Sequence, residues 1–219
     1  MLSDEQILNN KVQFIAELKK VDRAGIDNLI NWLQDPNQSD FFTAPASTIY
    51  HGNYKGGLCE HSLHVYQCAL KIRDMYNQLC LETGKPALNV TDEQLRICAL
   101  LHDVCKIGYY TTYERNYKDD EDGQWHKAMA YKVEDQLPLG HGDKSVMLIQ
   151  RFVMLHAIEM LAIRWHMGFS ELAVRIDPSY SKPFNKAFDG RYPLVVIIHL
   201  ADSMASFMLD DMVNLPWSR

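Results

Sequence analysis

The run Cys98-Ala99-Leu100-Leu101-His102-Asp103-Val104-Cys105-Lys106 ends an apolar, helix-forming stretch in an imidazole, a carboxylate and, one turn on, an ammonium. A solvated helix end would be more mixed, and a buried one does not carry three ionisable groups without partners. His102 and Asp103 suit a divalent cation. The imidazole offers a neutral nitrogen, and the carboxylate offers charge and a second oxygen able to bridge to another ion. Because a His-Asp pair also arises by chance, the weight falls on what the rest of the chain supplies.

Four further polar residues interrupt apolar or glycine-flanked segments. His61 lies on an otherwise apolar helix, where a hydrogen-bonded core histidine is the plainer reading. His141, between two glycines, reads either as a turn or cap residue or as a ligand. His166, beside Trp165, either packs at a helix end or coordinates. Asp202 is harder to explain by packing, since an unpaired buried carboxylate is expensive. One shared cation would satisfy all of them together.

The elements that must position these residues are mostly helices. Ser3 with Gln6 forms a capping-box pattern opening a helix to about Lys19, with Ile7, Val12, Ile15 and Leu18 inward. A second helix runs from about Asp22 to Leu33, stopped at Asp35-Pro36. Residues 35–56, rich in Pro, Ser, Asn, Gly and aromatics, read as an ordered loop. Gly56-Gly57 releases a long helix, about Leu58 to Leu81, carrying His61 and His64. Thr91 with Gln94 opens the helix that ends at His102-Asp103. From Tyr109 to about Asp135 aromatic and β-branched residues flank an acidic turn at Asp119 to Gly123, the pattern of a β-hairpin or flap. Helices follow at about Asp143 to Leu155, Ala157 to His166 and Leu194 to Leu209, with a Pro- and Ser-containing segment at 177–193. The fold class expected is all-α, a single helical domain over 1–219 with a small β-hairpin insertion, the N-terminal helices 3–34 packed on a core of about 50–206.

With 219 residues the chain can bury a sizeable core, and 47% hydrophobic and 23% charged residues are ordinary for a globular protein. A formal net charge of −6 argues against a general polyanion-binding surface. The five cysteines, Cys59, Cys68, Cys80, Cys98 and Cys105, form no CxxC pair and read as reduced, packed thiols of a cytoplasmic protein. Neither a signal pattern nor a bilayer-length apolar run is present, so no membrane partner is expected.

The ordered series Gly56-Gly57-Leu58-Cys59-Glu60-His61, Leu101-His102-Asp103-Val104-Cys105-Lys106, Gly140-His141-Gly142, Trp165-His166 and His199-Leu200-Ala201-Asp202 resembles the HD superfamily of metal-dependent phosphohydrolases. The likeness is nearest to the HD domains of the 3′–5′ exoribonuclease type and to phage and bacterial HD hydrolases. It implies an HD-domain helical bundle in which His61, His102, Asp103 and Asp202 hold one metal. His141 and His166, with Asp103 bridging, hold a second. Where the family often has two consecutive histidines, this chain has His166-Met167.

Imidazole with carboxylate suits Mn, Fe, Co, Ni or Zn better than Mg, which favours oxygen ligands, although Mg stays in the set. Lys106 reads as a phosphate contact or as a lysine favoured at a helix C-terminus. Lys144 and Arg164 divide evenly between phosphate contacts and surface charge. His199, one turn before Asp202, is a supporting residue rather than a ligand. For His51, Tyr54, His64 and Tyr109, packing outweighs a pocket role. The expected substrate is a small phosphate ester or nucleotide, a short oligonucleotide being within the class. The alternatives are an HD-type di-iron oxygenase, which uses the same six-ligand arrangement, and a non-catalytic, metal-stabilised nucleotide-binding protein.

Overall fold

The computed structural model describes residues 1–119 and 122–217, apart from the side chains of residues 172 and 173. The chain begins with α1 (Asp4–Leu18), opened as expected by a capping box in which Ser3 Oγ accepts from the Gln6 N–H (3.2 Å) and Gln6 Oε1 from the Ser3 N–H (2.8 Å). Its inward face is set by Phe14 and Leu18, both fully buried. Val12 is 59% exposed, contrary to expectation. Two residues before Phe14, it lies about 160° round the helix from it.

Helix α2 (Ile26–Gln34) starts four residues later than the sequence suggests, because Gly25 turns the chain with φ 89°. A Cβ there would lie 1.8 Å from the Phe152 carbonyl oxygen, so both conformation and space demand glycine. Helix α3 (Gly57–Glu82) follows the loop 35–56. Helix α4 (Asp92–Leu101) opens on a second capping box, Thr91 with Gln94 (3.2 and 3.0 Å). A single 3₁₀ turn over Val104–Lys106 follows His102 and Asp103.

Strands β1 (Tyr110–Lys118) and β2 (Trp125–Val133) form the expected antiparallel hairpin, with Tyr110 opposite Val133 and Lys118 opposite Trp125. Asp120 and Glu121 of its acidic turn lie outside the described residues. Then come α5 (His141–Gln150), α6 (Ala157–Arg164) and two short helices absent from the sequence reading, α7 (Leu172–Ile176) and α8 (Ser181–Ala187). Helix α9 (Pro193–Met204) ends in a π turn, Ala205–Leu209, where the expected helix would have continued regularly.

The core centres on α4, whose Leu95, Ile97, Cys98, Ala99, Leu100 and Leu101 are all buried, against α1, α3, α6 and α9. Side chains from Phe14 on α1 to Ala205 after α9 share that cluster. Burying a Leu or Ile side chain is worth about 1.5–3 kcal/mol, so α4 is anchored along its whole length and its end is fixed in place. The described cysteines are free and buried. No helix is long and apolar enough to cross a membrane.

A partly buried ion cluster ties the helices that lead into the polar centre. Arg23 donates two bonds of 2.7 Å to the Glu159 carboxylate of α6 and one of 2.8 Å to Glu93 in the first turn of α4. Glu159 is fully buried and also accepts from the His156 N–H (2.8 Å). Removing Arg23 strands that carboxylate. Arg23→Ala is expected to lower unfolding free energy by about 3–5 kcal/mol in urea titration. A loss below about 1 kcal/mol would show that the pair is dispensable.

Candidate metal centre

Helix geometry brings the polar residues of four segments to one point. His61 sits in the second turn of α3, His102 and Asp103 directly follow α4, His166 follows α6, and Asp202 lies in the last turn of α9. His141 opens α5 beside them. Its approach depends on Gly142, where a Cβ would meet the Arg164 carbonyl oxygen at 2.2 Å.

The histidine tautomers are dictated by their outer partners. His102 Nδ1 lies 2.8 Å from the Ala99 carbonyl oxygen, and His166 Nδ1 2.7 Å from that of Ile163. A carbonyl only accepts, so each Nδ1 donates and each neutral ring turns the lone pair on Nε2 inward. His61 Nδ1 donates to Asp210 Oδ2 at 2.7 Å, which presents its Nε2 in the same sense.

Inside, acceptors face acceptors. His61 Nε2 is 3.2 Å from His102 Nε2, 3.2 Å from Asp202 Oδ1 and 3.8 Å from Asp103 Oδ2. His102 Nε2 is 3.4 Å from Asp103 Oδ2, and His166 Nε2 is 3.5 Å from Asp103 Oδ1. Donors bound at about 2.0–2.2 Å to one ion stand about 3–3.5 Å apart, so most of these spacings match the edges of a coordination polyhedron, while the 3.8 Å spacing and the 3.9 Å from His102 Nε2 to Asp202 Oδ1 are longer. His166 Nε2 is a buried atom with no hydrogen-bond partner. Such an orphan is costly unless something absent from the protein engages it. The donor set therefore fits a divalent transition metal.

His141 Nε2 meets Asp103 Oδ1 at 2.7 Å, and its Nδ1 lies 3.4 Å from Cys105 Sγ. Lys106 Nζ lies 2.6 Å from Asp103 Oδ2 and donates to the Ala46 carbonyl at 2.7 Å. Burial alone would raise the Asp103 carboxyl, but Lys106, His102 and His141 hold it well below the usual range. Asp202 is likewise held low, against burial, by His61, His102 and His166. His61 rises to about 9: burial opposes its charge, and Asp202 and Asp210 outweigh burial. The carboxylates on either side thus favour positive charge at His61. A metal ion competes for the same lone pair.

A cavity of about 730 Å³ opens onto Asp103, His141 and Asp202, and Lys106 lines it. His51 also lines it, 4.9 Å between ring centroids from His61, and is pushed down to about 4 by burial and by His61 and Lys106. Tyr109 lies on the same wall, whereas Tyr54 is buried and donates to Glu60 (2.6 Å).

The other two cations singled out in the sequence do not reach the cavity. Lys144 is nearly buried on Asp135 (2.6 Å), and Arg164 pairs with Asp143 (2.6 Å) and Glu171 (3.1 Å) while lying over Trp165. Each finds a carboxylate on its own side of the fold first. His199 donates from Nδ1 to the His166 carbonyl at 2.8 Å and packs on Phe188, holding the backbone that carries His166.

Asp210 has no counterpart in the sequence reading. It accepts from His61 Nδ1 and from His64 Nδ1 (2.6 Å), and its own N–H bonds the Ala205 carbonyl across the π turn. The following residues are strapped to the loop before α3, with Gly52 N–H on Asp211 O (2.8 Å) and Val213 N–H on Asn53 Oδ1 (2.7 Å).

Bundle and site together define a helical domain with a buried cluster of histidines and aspartates able to hold a divalent metal. The profile of the HD domain family matches residues 58–206, more than half of the chain. The chain belongs to the HD superfamily of metal-dependent phosphohydrolases. It is similar to the dihydroneopterin 2′,3′-cyclic phosphate phosphodiesterase of Methanocaldococcus jannaschii, 28% identical over 122 residues that cover 56% of this chain and 40% of that protein. The match thus spans less than half of that relative's length. No solved structure matches the chain significantly.

Asp210→Asn keeps the shape of the His61 partner and removes its charge. Divalent-metal affinity, measured by competition with a chromophoric chelator, is expected to fall about ten- to hundredfold, with helical circular dichroism unchanged. Unaltered affinity would mean that His61 needs no anionic partner.

Proposed function

We propose that the protein hydrolyses a small phosphate ester of nucleotide type at this site. His61, His102, Asp103 and Asp202 would hold one divalent transition-metal ion, and His141 and His166, together with Asp103, would hold a second. The observation that carries the reading is the convergence of three Nε2 lone pairs on one buried and one partly buried carboxylate, one of those nitrogens having no partner in the protein. When bound, such ions supply water ionised near neutral pH and charge that stabilises a phosphoryl group in displacement.

The chain's own groups do the rest. Asp103 presents one oxygen towards His102 and the other towards His141 and His166, the disposition a bridging carboxylate needs. Lys106 sets an ammonium on the cavity wall, where it neutralises a phosphoryl oxygen that enters beside Asp103. The Ala46 carbonyl keeps that ammonium aimed at the site. An ammonium there favours an anionic ester over the oxygenase reading, and the relative's 2′,3′-cyclic phosphate makes a cyclic phosphodiester a first substrate to try. Free, buried thiols accord with a reducing, cytoplasmic setting.

Asp103→Asn removes the charge that offsets repulsion between two dications. The second ion is expected to be lost first, with turnover down about a thousandfold, or about 4 kcal/mol in barrier, and the fold intact. Metal analysis, circular dichroism and hydrolysis rates on one preparation check this; two retained metals with near-native rate would refute the bridging role. Lys106→Ala is expected to leave metal content intact while slowing phosphate-ester turnover about ten- to hundredfold. Unchanged turnover with metal still bound would reduce Lys106 to a helix-end charge.

A further inference from the structure

The wall of the cavity carries very little positive charge. Among the described residues lining it, Lys106 is the one lysine or arginine, against Asp103, Asp202 and Asp210. Lys144 and Arg164, on the neighbouring helices, are committed to Asp135, Asp143 and Glu171. The lining thus has a balance of two negative charges, which a pair of divalent ions turns to two positive. A phosphate monoester, at about −1.5 to −2 near neutral pH, brings that balance close to zero. Each further phosphoryl group would add an anion with no cation of the wall to meet it, inside a partly buried space.

The mouth of the cavity is apolar and aromatic. Phe207, on the π turn after α9, is 89% exposed, and Tyr50, on the loop before α3, is 66% exposed. Both line the cavity, and neither stacks on another ring among the described residues. Met212, half-exposed, lies on the same wall. A phenylalanine left open to solvent at a cavity rim contributes nothing to the core, whereas it offers a flat ligand a stacking face. The remaining polar lining includes the neutral hydroxyls of Thr48, Ser170 and Ser203, suited to a sugar and not to additional phosphates.

Resting on the hydrolase reading, we infer that the substrate carries a single phosphoryl group on an uncharged, flat ring system. A nucleoside monophosphate or cyclic monophosphate is accepted, and a nucleoside triphosphate is rejected by the charge of the wall. Phe207 is a binding residue for the ring.

The manganese-loaded full chain is assayed with AMP, adenosine 2′,3′-cyclic monophosphate, ADP and ATP, comparing kcat/KM. Any nucleotide that is not turned over is measured by equilibrium dialysis. The better of the two single-phosphate compounds is expected to exceed ATP by about a hundredfold in kcat/KM or in affinity. Phe207→Ala is expected to weaken AMP binding about tenfold, while binding of ribose 5-phosphate, which has no base, changes less than about twofold. ATP handled as well as or better than AMP and the cyclic nucleotide would overturn the charge rule. An equal loss for AMP and ribose 5-phosphate would overturn the stacking role. If nothing is hydrolysed but single-phosphate ligands still bind about a hundredfold more tightly than ATP, the hydrolase reading fails and the charge rule stands.

Discussion

Lone pairs held against lone pairs are the constraint on which the rest of this structure depends. Two imidazole nitrogens 3.2 Å apart, a third without any partner, and two carboxylates share one buried space. Unit charges at about 4 Å interact by about 4 kcal/mol at an effective dielectric near 20, so such a cluster holds together only with positive charge inside it. Lys106, 2.6 Å from Asp103, supplies part of that charge. It does not engage His166 Nε2, which a dication in the cluster would.

Much of the remaining architecture serves to keep these groups from escaping one another. Helix α4 is buried along its length, so His102 and Asp103 at its end have no freedom to retreat. The Ala99 and Ile163 carbonyls, one turn back from His102 and His166, fix the rings in one tautomer. The Arg23–Glu159–Glu93 cluster ties α4 to α6 on the side away from the cavity. Asp210 completes the arrangement from the C-terminal side, where the π turn and the strap to Gly52 and Asn53 hold it against His61 and His64. A π turn breaks helical regularity at some cost and is frequent at functional sites; here it redirects the chain so that the residue after it faces inward.

The sequence carried the helical class, the hairpin and the capping boxes at Ser3 and Thr91, because each depends on local pattern. It also carried the six residues of the polar centre, which stand out as ionisable groups in apolar or glycine-flanked segments and meet in the fold. What it did not carry depends on distance in space. Asp210 follows an irregular turn without a periodic signature. Lys144 and Arg164 sit beside motif residues in the chain, yet nearer carboxylates take them. The late start of α2 follows from a close approach of Gly25 to Phe152, and the short α7 and α8 are too brief to show a helical period.

Anomalous scattering from crystals of the metal-loaded protein, collected at the manganese, iron and zinc edges, tests the metal centre most directly. A peak is expected bounded by the Nε2 atoms of His61 and His102 and by Asp103 and Asp202, and a second beside His141 and His166. Peaks confined to the surface, with His166 Nε2 still unengaged at full metal loading, would contradict it.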